Sequence, residues 1–212
     1  MTPPIQGGQA SPLHRWEQPV RIDVSFGASV SPAQRGQDLN AIRTVAGRLQ
    51  RASGHSVQVV DSRANFHVLV LSEAERANMR PLLRQLAPGL SRAAQNAFLR
   101  MRPNTFCMVV AIPGSDPAQG YQQAIAVVRA EHPPLMRRSC MEEELAQGMG
   151  LPNDSGEAYA SIFNDDETYG VLTRQDELML RMLYSDQLRC GLTARAVEPR
   201  ILELAEAVLR TG

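Results

Sequence analysis

Arg138-Ser-Cys-Met-Glu-Glu-Glu-Leu-Ala-Gln-Gly-Met-Gly-Leu-Pro-Asn-Asp154 reads as a helix, a glycine stop and a polar turn. In such a helix Glu143 and Gln147, four positions apart, share one face. Glu144 points about 100° away from Glu143, so these two carboxylates do not flank a common bond as a glycosidase pair must. Past the glycines the turn carries Asn153 and Asp154. Glu143, Glu144, Gln147, Asn153 and Asp154 are therefore the candidate site residues, with Glu144 the candidate for chemistry.

On the N-terminal side, Gln122 to Glu131 places Ala124, Ala126 and Val128 on one face and reads as a strand, which His132-Pro-Pro breaks before the helix. Thr105-Phe-Cys-Met-Val-Val-Ala-Ile112, closed by Pro113-Gly114, is a continuous apolar run of strand length and reads as a buried central strand. Ser72-Glu-Ala-Glu starts a helix that Pro81 and Pro88 must bound, with another helical piece from Ser91 to Arg100; this block reads as an insertion. Earlier still, Val20-Arg-Ile-Asp-Val-Ser-Phe26 alternates strictly as a half-buried strand does. Ser31-Pro32 opens an amphipathic helix that Gly54 stops, and Ser56 to Val60 and Asn65 to Leu71 read as two short strands.

On the C-terminal side comes a loop of Ser, Gly, Asn and Asp, then a helix capped by Thr173 and running to Tyr184. A last helix spans about Ala194 to Leu209, kinked at Pro199. Residues 1–12, rich in Pro, Gly and Gln, read as a flexible lead, and residues 13–212 as a single domain of the α+β class. A chain of this length buries about 70% of its unfolded surface.

Composition narrows the function classes. Acidic and basic residues balance at 22 each, and every basic residue is Arg. Spread along amphipathic segments, these arginines read as solvated faces and not as a nucleic-acid footprint. No apolar run approaches the ~20 residues that span a bilayer. No glycine-rich phosphate loop follows a predicted strand, so no organic cofactor is indicated. Ser139 has no base nearby and no nucleophile elbow occurs. His14, His55, His67 and His132 are scattered, and none lies in the motif. The three cysteines, Cys107, Cys140 and Cys190, leave room for one disulfide and a free thiol, or for three reduced thiols.

Laid against the zinc-protease signature H-E-x-x-H-x-x-G-x-x-H, Glu143 to Asn153 keeps the second-position Glu, Glu144, and the turn glycine, Gly150, and lacks all three histidines. With the Ser161-Ile-Phe163 element and the helix from Thr173 to Leu183-Tyr184 following in order, the chain resembles the metzincin-type zinc proteases. It is more closely similar to an uncharacterised bacterial family of putative lipoproteins, a domain of unknown function, over residues 12–190. The resemblance implies a zincin-like fold, with a mixed twisted sheet packed on an active-site-type helix and a helical C-terminal part. It also implies a periplasmic or otherwise exported protein and a Cys107–Cys140 disulfide that leaves Cys190 free.

An active zincin needs two histidines one turn apart, a third ligand and a Glu beside an activated water. Here the ligand positions hold Glu143, Gln147 and Asn153, and amides are poor zinc ligands. Without a metal to acidify water, Glu144 has little nucleophile to activate. Glu143, Asp154 and Asp165-Asp166-Glu167 offer oxygen ligands to a hard cation, but their spacing fits no EF-hand, and a solvated acidic loop is the simpler reading. The expectation is a metal-free, cofactor-free, proteolytically inactive module that binds a peptide or protein along an edge strand at 122–129. The alternative is a metal-dependent hydrolase or peptidase using Glu144 with non-standard ligands.

Overall fold

A computed structural model describes residues 12–164 and 168–211. Except for Pro12, the expected flexible lead lies outside the described residues. In chain order the elements are β1 (Val20–Phe26), α1 (Pro32–Ser53), β2 (Val57–Val59), β3 (Phe66–Leu71), α2 (Glu73–Ala77), α3 (Arg80–Leu86), α4 (Arg92–Leu99), β4 (Cys107–Pro113), β5 (Tyr121–Arg129) and α5 (Pro134–Gly148). Three helices close the chain: α6 (Arg174–Leu183), α7 (Ala194–Val197) and α8 (Ile201–Thr211). Their boundaries follow local chemistry. Ser31 caps α1 through Gln34 N–H, Pro32 sits in its first turn, and Gly54 ends it at φ 71°. Pro81 is tolerated because it falls in the first turn of α3, and Pro199 sits in a 3-10 turn between α7 and α8.

The architecture is mixed α and β around a five-stranded sheet of order β2-β1-β3-β5-β4. The pairs β1–β2, β1–β3 and β3–β5 are parallel, and β4 pairs antiparallel with β5. Alternation splits the central strands β3 and β5 between two covered faces. Phe66, Val68 and Val70 face α1 and α5, where Ile42, Leu49, Met141 and Leu145 meet them. Leu69, Leu71, Ile125 and Val127 face the α2–α4 block, which contributes Met79, Leu83 and Phe98.

This order corrects two expectations. The strand at 122–129 is not an edge: β5 lies between β3 and β4 and is paired on both sides. The apolar run read as a buried central strand, β4, is an edge strand, with β2 at the other edge. Side-chain apolarity reports whether the faces of a strand pack against something, and both faces of β4 are half-buried against the two clusters. Edge status depends on hydrogen bonding within the sheet plane, to which the side-chain pattern is blind.

Trp16, fully buried, donates its indole N–H to Gly148 O at 2.8 Å and stacks on Phe66 with ring centroids 6.2 Å apart. A Cβ on Gly148 would fall 2.5 Å from the Phe66 ring, so only glycine lets the last turn of α5 approach the sheet this closely. Arg137 on α5 and Asp38 on α1 form a buried ion pair, with Nε 3.1 Å from both carboxylate oxygens. Glu73 bridges Arg76 and Arg129 and so ties the α2–α4 block to the end of β5. A smaller cluster of Leu188, Val197 and Leu204 packs α7 and α8 against Leu13.

A disulfide joins Cys107 at the start of β4 to Cys140 on α5 across 33 residues, and Cys190 is a free thiol. Closing a loop of that size stabilises by about 4 kcal/mol through chain entropy. Thiol titration of the unfolded, unreduced protein is expected to find only Cys190. Cys107→Ser with Cys140→Ser is expected to lower the unfolding free energy by about 2–4 kcal/mol in urea titration.

Candidate functional site

The geometry of the site follows from three side-chain stripes on α5. Cys140, Glu144 and Gly148, spaced by four, face β4. Two strand residues rise about 6.6 Å and four helical residues about 6 Å, so helix and strand stay in step. Cys107 is bonded to Cys140, the Val109 N–H faces the Glu144 carboxyl, and Val109 Cγ2 lies 3.4 Å from where a Gly148 Cβ would be. The second stripe contains Arg138 and Glu142. Glu142, nearly fully buried, accepts the Leu172 N–H at 2.9 Å and contacts Arg48 at 3.3 Å and Arg138 at 3.4 Å. The third stripe, Ser139, Glu143 and Gln147, is half-buried and open towards the loop that follows. Gln147 Nε2 donates to Asp154 Oδ1 at 2.7 Å.

Glu144 is the electrostatic focus. It is 4% exposed, and its Oε2 has no hydrogen-bond partner among the described residues. Burial, reinforced by the negative charges of Glu143 and Asp154, holds its pKa well above the usual carboxylate range, while the Val109 N–H pulls in the opposite direction. A base that activates water must be ionised and within reach of it. Glu144 is instead held towards its protonated form and shielded from solvent.

Below the loop, Asp176 organises the Ser-Ile-Phe element. Completely buried, it accepts the Ser161 hydroxyl at 2.5 Å, the Ile162 N–H at 3.1 Å and the Thr173 N–H at 2.6 Å. Ser161 Oγ in turn accepts the Phe163 N–H at 3.0 Å. The Thr173-x-x-Asp176 capping box at the start of α6 therefore also fixes the loop.

Four of the five expected site residues come together: Glu143, Glu144, Gln147 and Asp154. Asn153 lies exposed in the turn and makes no hydrogen bond among the described residues. Asp165-Asp166-Glu167 lies outside the described residues. Among the described residues, no group of three or more His, Cys, Asp or Glu side chains is arranged to hold a metal ion. The histidines serve local packing: His67 Nδ1 lies 2.7 Å from Asp23 Oδ1, and His55 Nε2 lies 2.8 Å from Gln18 O. A cleft of about 430 Å³ opens between α1 and α5 around the Asp38–Arg137 pair, with Ala41, Pro134 and Leu135 on its walls, and Glu144 does not line it. Sequence reasoning missed Val109 and Glu142, whose roles depend on which strand and which loop lie beside α5. Asp176 fell inside the helix read from Thr173 to Tyr184 with no role assigned to it.

Two substitutions test this arrangement. Because its folded pKa is raised, Glu144 costs no stability below pH ~4.5, and the folded state loses ground as the unfolded carboxyl ionises above that. Glu144→Gln is therefore expected to raise the melting temperature at pH 8 relative to wild type and to match it near pH 4, in paired thermal melts. Asp176→Ala removes three hydrogen-bond acceptor contacts and is expected to cost about 2–4 kcal/mol in urea unfolding.

No curated protein matches the chain. No helix among the described residues is long and apolar enough to cross a membrane. The family described as "Protein of unknown function (DUF2927)" matches residues 5–203, nearly the whole length of the chain. The chain belongs to this family.

Proposed function

We propose that this protein is an exported, proteolytically inactive zincin-like module that binds an extended peptide or partner segment along β4. The observation that carries the reading is the outer side of the edge strand β4, which pairs with no other strand among the described residues. Val109 directs its N–H off the sheet towards Glu144, so by antiparallel alternation Cys107 and Ala111 direct their main-chain groups the same way. An incoming strand finds those groups beside the polar stripe Glu143–Gln147 and its partner Asp154. The Glu144 carboxyl lies on the side to which Val109 directs its N–H, so negative charge flanks the edge and disfavours indiscriminate pairing.

Two further observations support the reading. The order of the Glu144 helix, the Ser161-Ile-Phe163 turn and the Leu183-Tyr184 helix resembles the metzincin arrangement, in which a peptide pairs with the edge strand beside the active helix. A disulfide between Cys107 and Cys140 suits an oxidising compartment. The lack of ligand histidines and the burial of Glu144 favour binding over hydrolysis.

The test is a random octapeptide library presented to the full chain. Ala111→Pro removes an outward-facing donor while leaving the β5 pairing in place, a change that edge strands tolerate. Wild type is expected to enrich a defined peptide set, and Ala111→Pro to bind those peptides at least tenfold more weakly while keeping its far-ultraviolet circular dichroism. No enrichment, or undiminished binding by Ala111→Pro, would overturn the proposal. Stoichiometric zinc together with hydrolysis abolished by Glu144→Gln would replace it with a metal-dependent hydrolase.

A further inference from the structure

On the opposite face of the sheet from Glu144, α3 and α4 flank a second, open cleft of about 430 Å³, lined by Arg80, Arg84, Pro88, Arg92, Gln95 and Asn96. Its charge follows from the sequence. From residue 76 to residue 115 the chain carries six arginines and no Asp or Glu, so arginine is concentrated here despite a formal net charge of zero. Arg76, at the start of this segment, is neutralised by Glu73. Among the described residues, Arg80, Arg84 and Arg92 have no carboxylate partner.

One of these cations is also held in place. Arg80 donates from Nη1 to Gln95 Oε1 at 3.2 Å and from Nη2 to Asn96 Oδ1 at 2.9 Å. Gln95, itself 8% exposed, is fixed through its Nε2 on Leu90 O at 3.0 Å. Neutral amides orient the guanidinium without cancelling its charge, so its attraction for an anion is kept and less ordering remains to be done on binding. Arg84 and Arg92 are exposed on the same cleft, and Arg92 is the first residue of α4, which brings the positive end of that helix to the rim.

We infer that the α3–α4 cleft binds a phosphate monoester through Arg80, Arg84 and Arg92. A phosphate monoester dianion offers three oxygens, one for each guanidinium, whereas a carboxylate offers two. The cleft is open, which leaves room beside the guanidiniums for the organic part of the ester. That ester is either a soluble metabolite or the headgroup of an anionic lipid, and the chemistry of recognition is the same for both. The site is separate from β4 and does not depend on peptide binding there.

The experiment uses the full chain with two probes: glycerol phosphate by isothermal titration, and phosphatidylcholine vesicles with and without phosphatidic acid by co-sedimentation. Binding to one probe is expected, at low salt most strongly. Glycerol phosphate binding assigns a soluble ester, and sedimentation only with phosphatidic acid assigns a lipid headgroup. Arg84→Gln with Arg92→Gln, both at exposed positions, is expected to weaken that binding roughly a hundredfold, about tenfold per guanidinium. Arg80→Lys keeps the charge but loses the planar fork and is expected to weaken it roughly tenfold. Circular dichroism and thermal melting establish that each variant is folded. Failure to bind either probe, or binding unchanged in the Arg84→Gln/Arg92→Gln protein, overturns the inference. Tighter retention on a single-stranded oligonucleotide than on either probe, lost in the same variant, overturns it in favour of a nucleic-acid surface.

Discussion

The organisation of this protein depends on one helix keeping step with one strand. A turn of α5 and two residues of β4 advance by nearly the same distance, so Cys140, Glu144 and Gly148 meet the strand in succession. A covalent bond fixes the first contact and a buried carboxyl covers the second. The third is a glycine whose missing side chain makes room for Phe66. Trp16 then closes over the end of the helix through the Gly148 carbonyl. With α5 set in this way, its outward stripe of Glu143 and Gln147 is directed at the loop carrying Asp154, and the free side of β4 lies next to it.

The buried polar groups fall into two kinds. Asp38, Arg76, Arg137, Glu142 and Asp176 have hydrogen-bond or ion-pair partners that offset their loss of water, and each links elements distant in sequence. Arg137 joins α5 to α1, Glu142 joins α5 to the loop before α6, and Asp176 joins that loop to α6 itself. Glu144 is the exception, since one of its oxygens has no partner while two negative neighbours add to its desolvation. Native proteins keep few such groups; those among the described residues are His14 Nδ1, His132 Nε2, Ser185 Oγ and Glu144 Oε2, and the carboxyl sits where the sheet ends.

The two faces of the sheet differ in electrostatic character. On the α1–α5 side acidic and basic residues are interleaved, Glu142 contacting Arg48 and Arg138 and Asp38 contacting Arg137, whereas the segment that builds α3 and α4 carries arginines with no acidic residue over forty positions. Overall neutrality conceals this separation. Peptide recognition at β4 would use main-chain hydrogen bonds, and the opposite cleft would use charge held in place by Gln95 and Asn96. The sheet keeps the two apart.

Local chemistry was legible in the sequence wherever neighbours along the chain decide the outcome. Ser31 and Gly54 bound α1, Thr173 with Asp176 starts α6, Pro199 interrupts the last helix, and the alternation of Val20 to Phe26 marks β1. The grouping of Glu143, Gln147 and Asp154 was equally legible, because one helix and the turn after it contain all three. The disulfide was expected through family resemblance, since three cysteines alone leave the pairing open. Which strand is the edge was not legible: β4 and β5 are both apolar because helices cover both faces of the sheet, and their order depends on main-chain pairing that side chains do not record. For the same reason, the burial of Glu144 against Val109 and the hold of Glu142 on Leu172 were decided by tertiary structure. Each requires segments far apart in the chain to be brought side by side, and only the packed sheet does that.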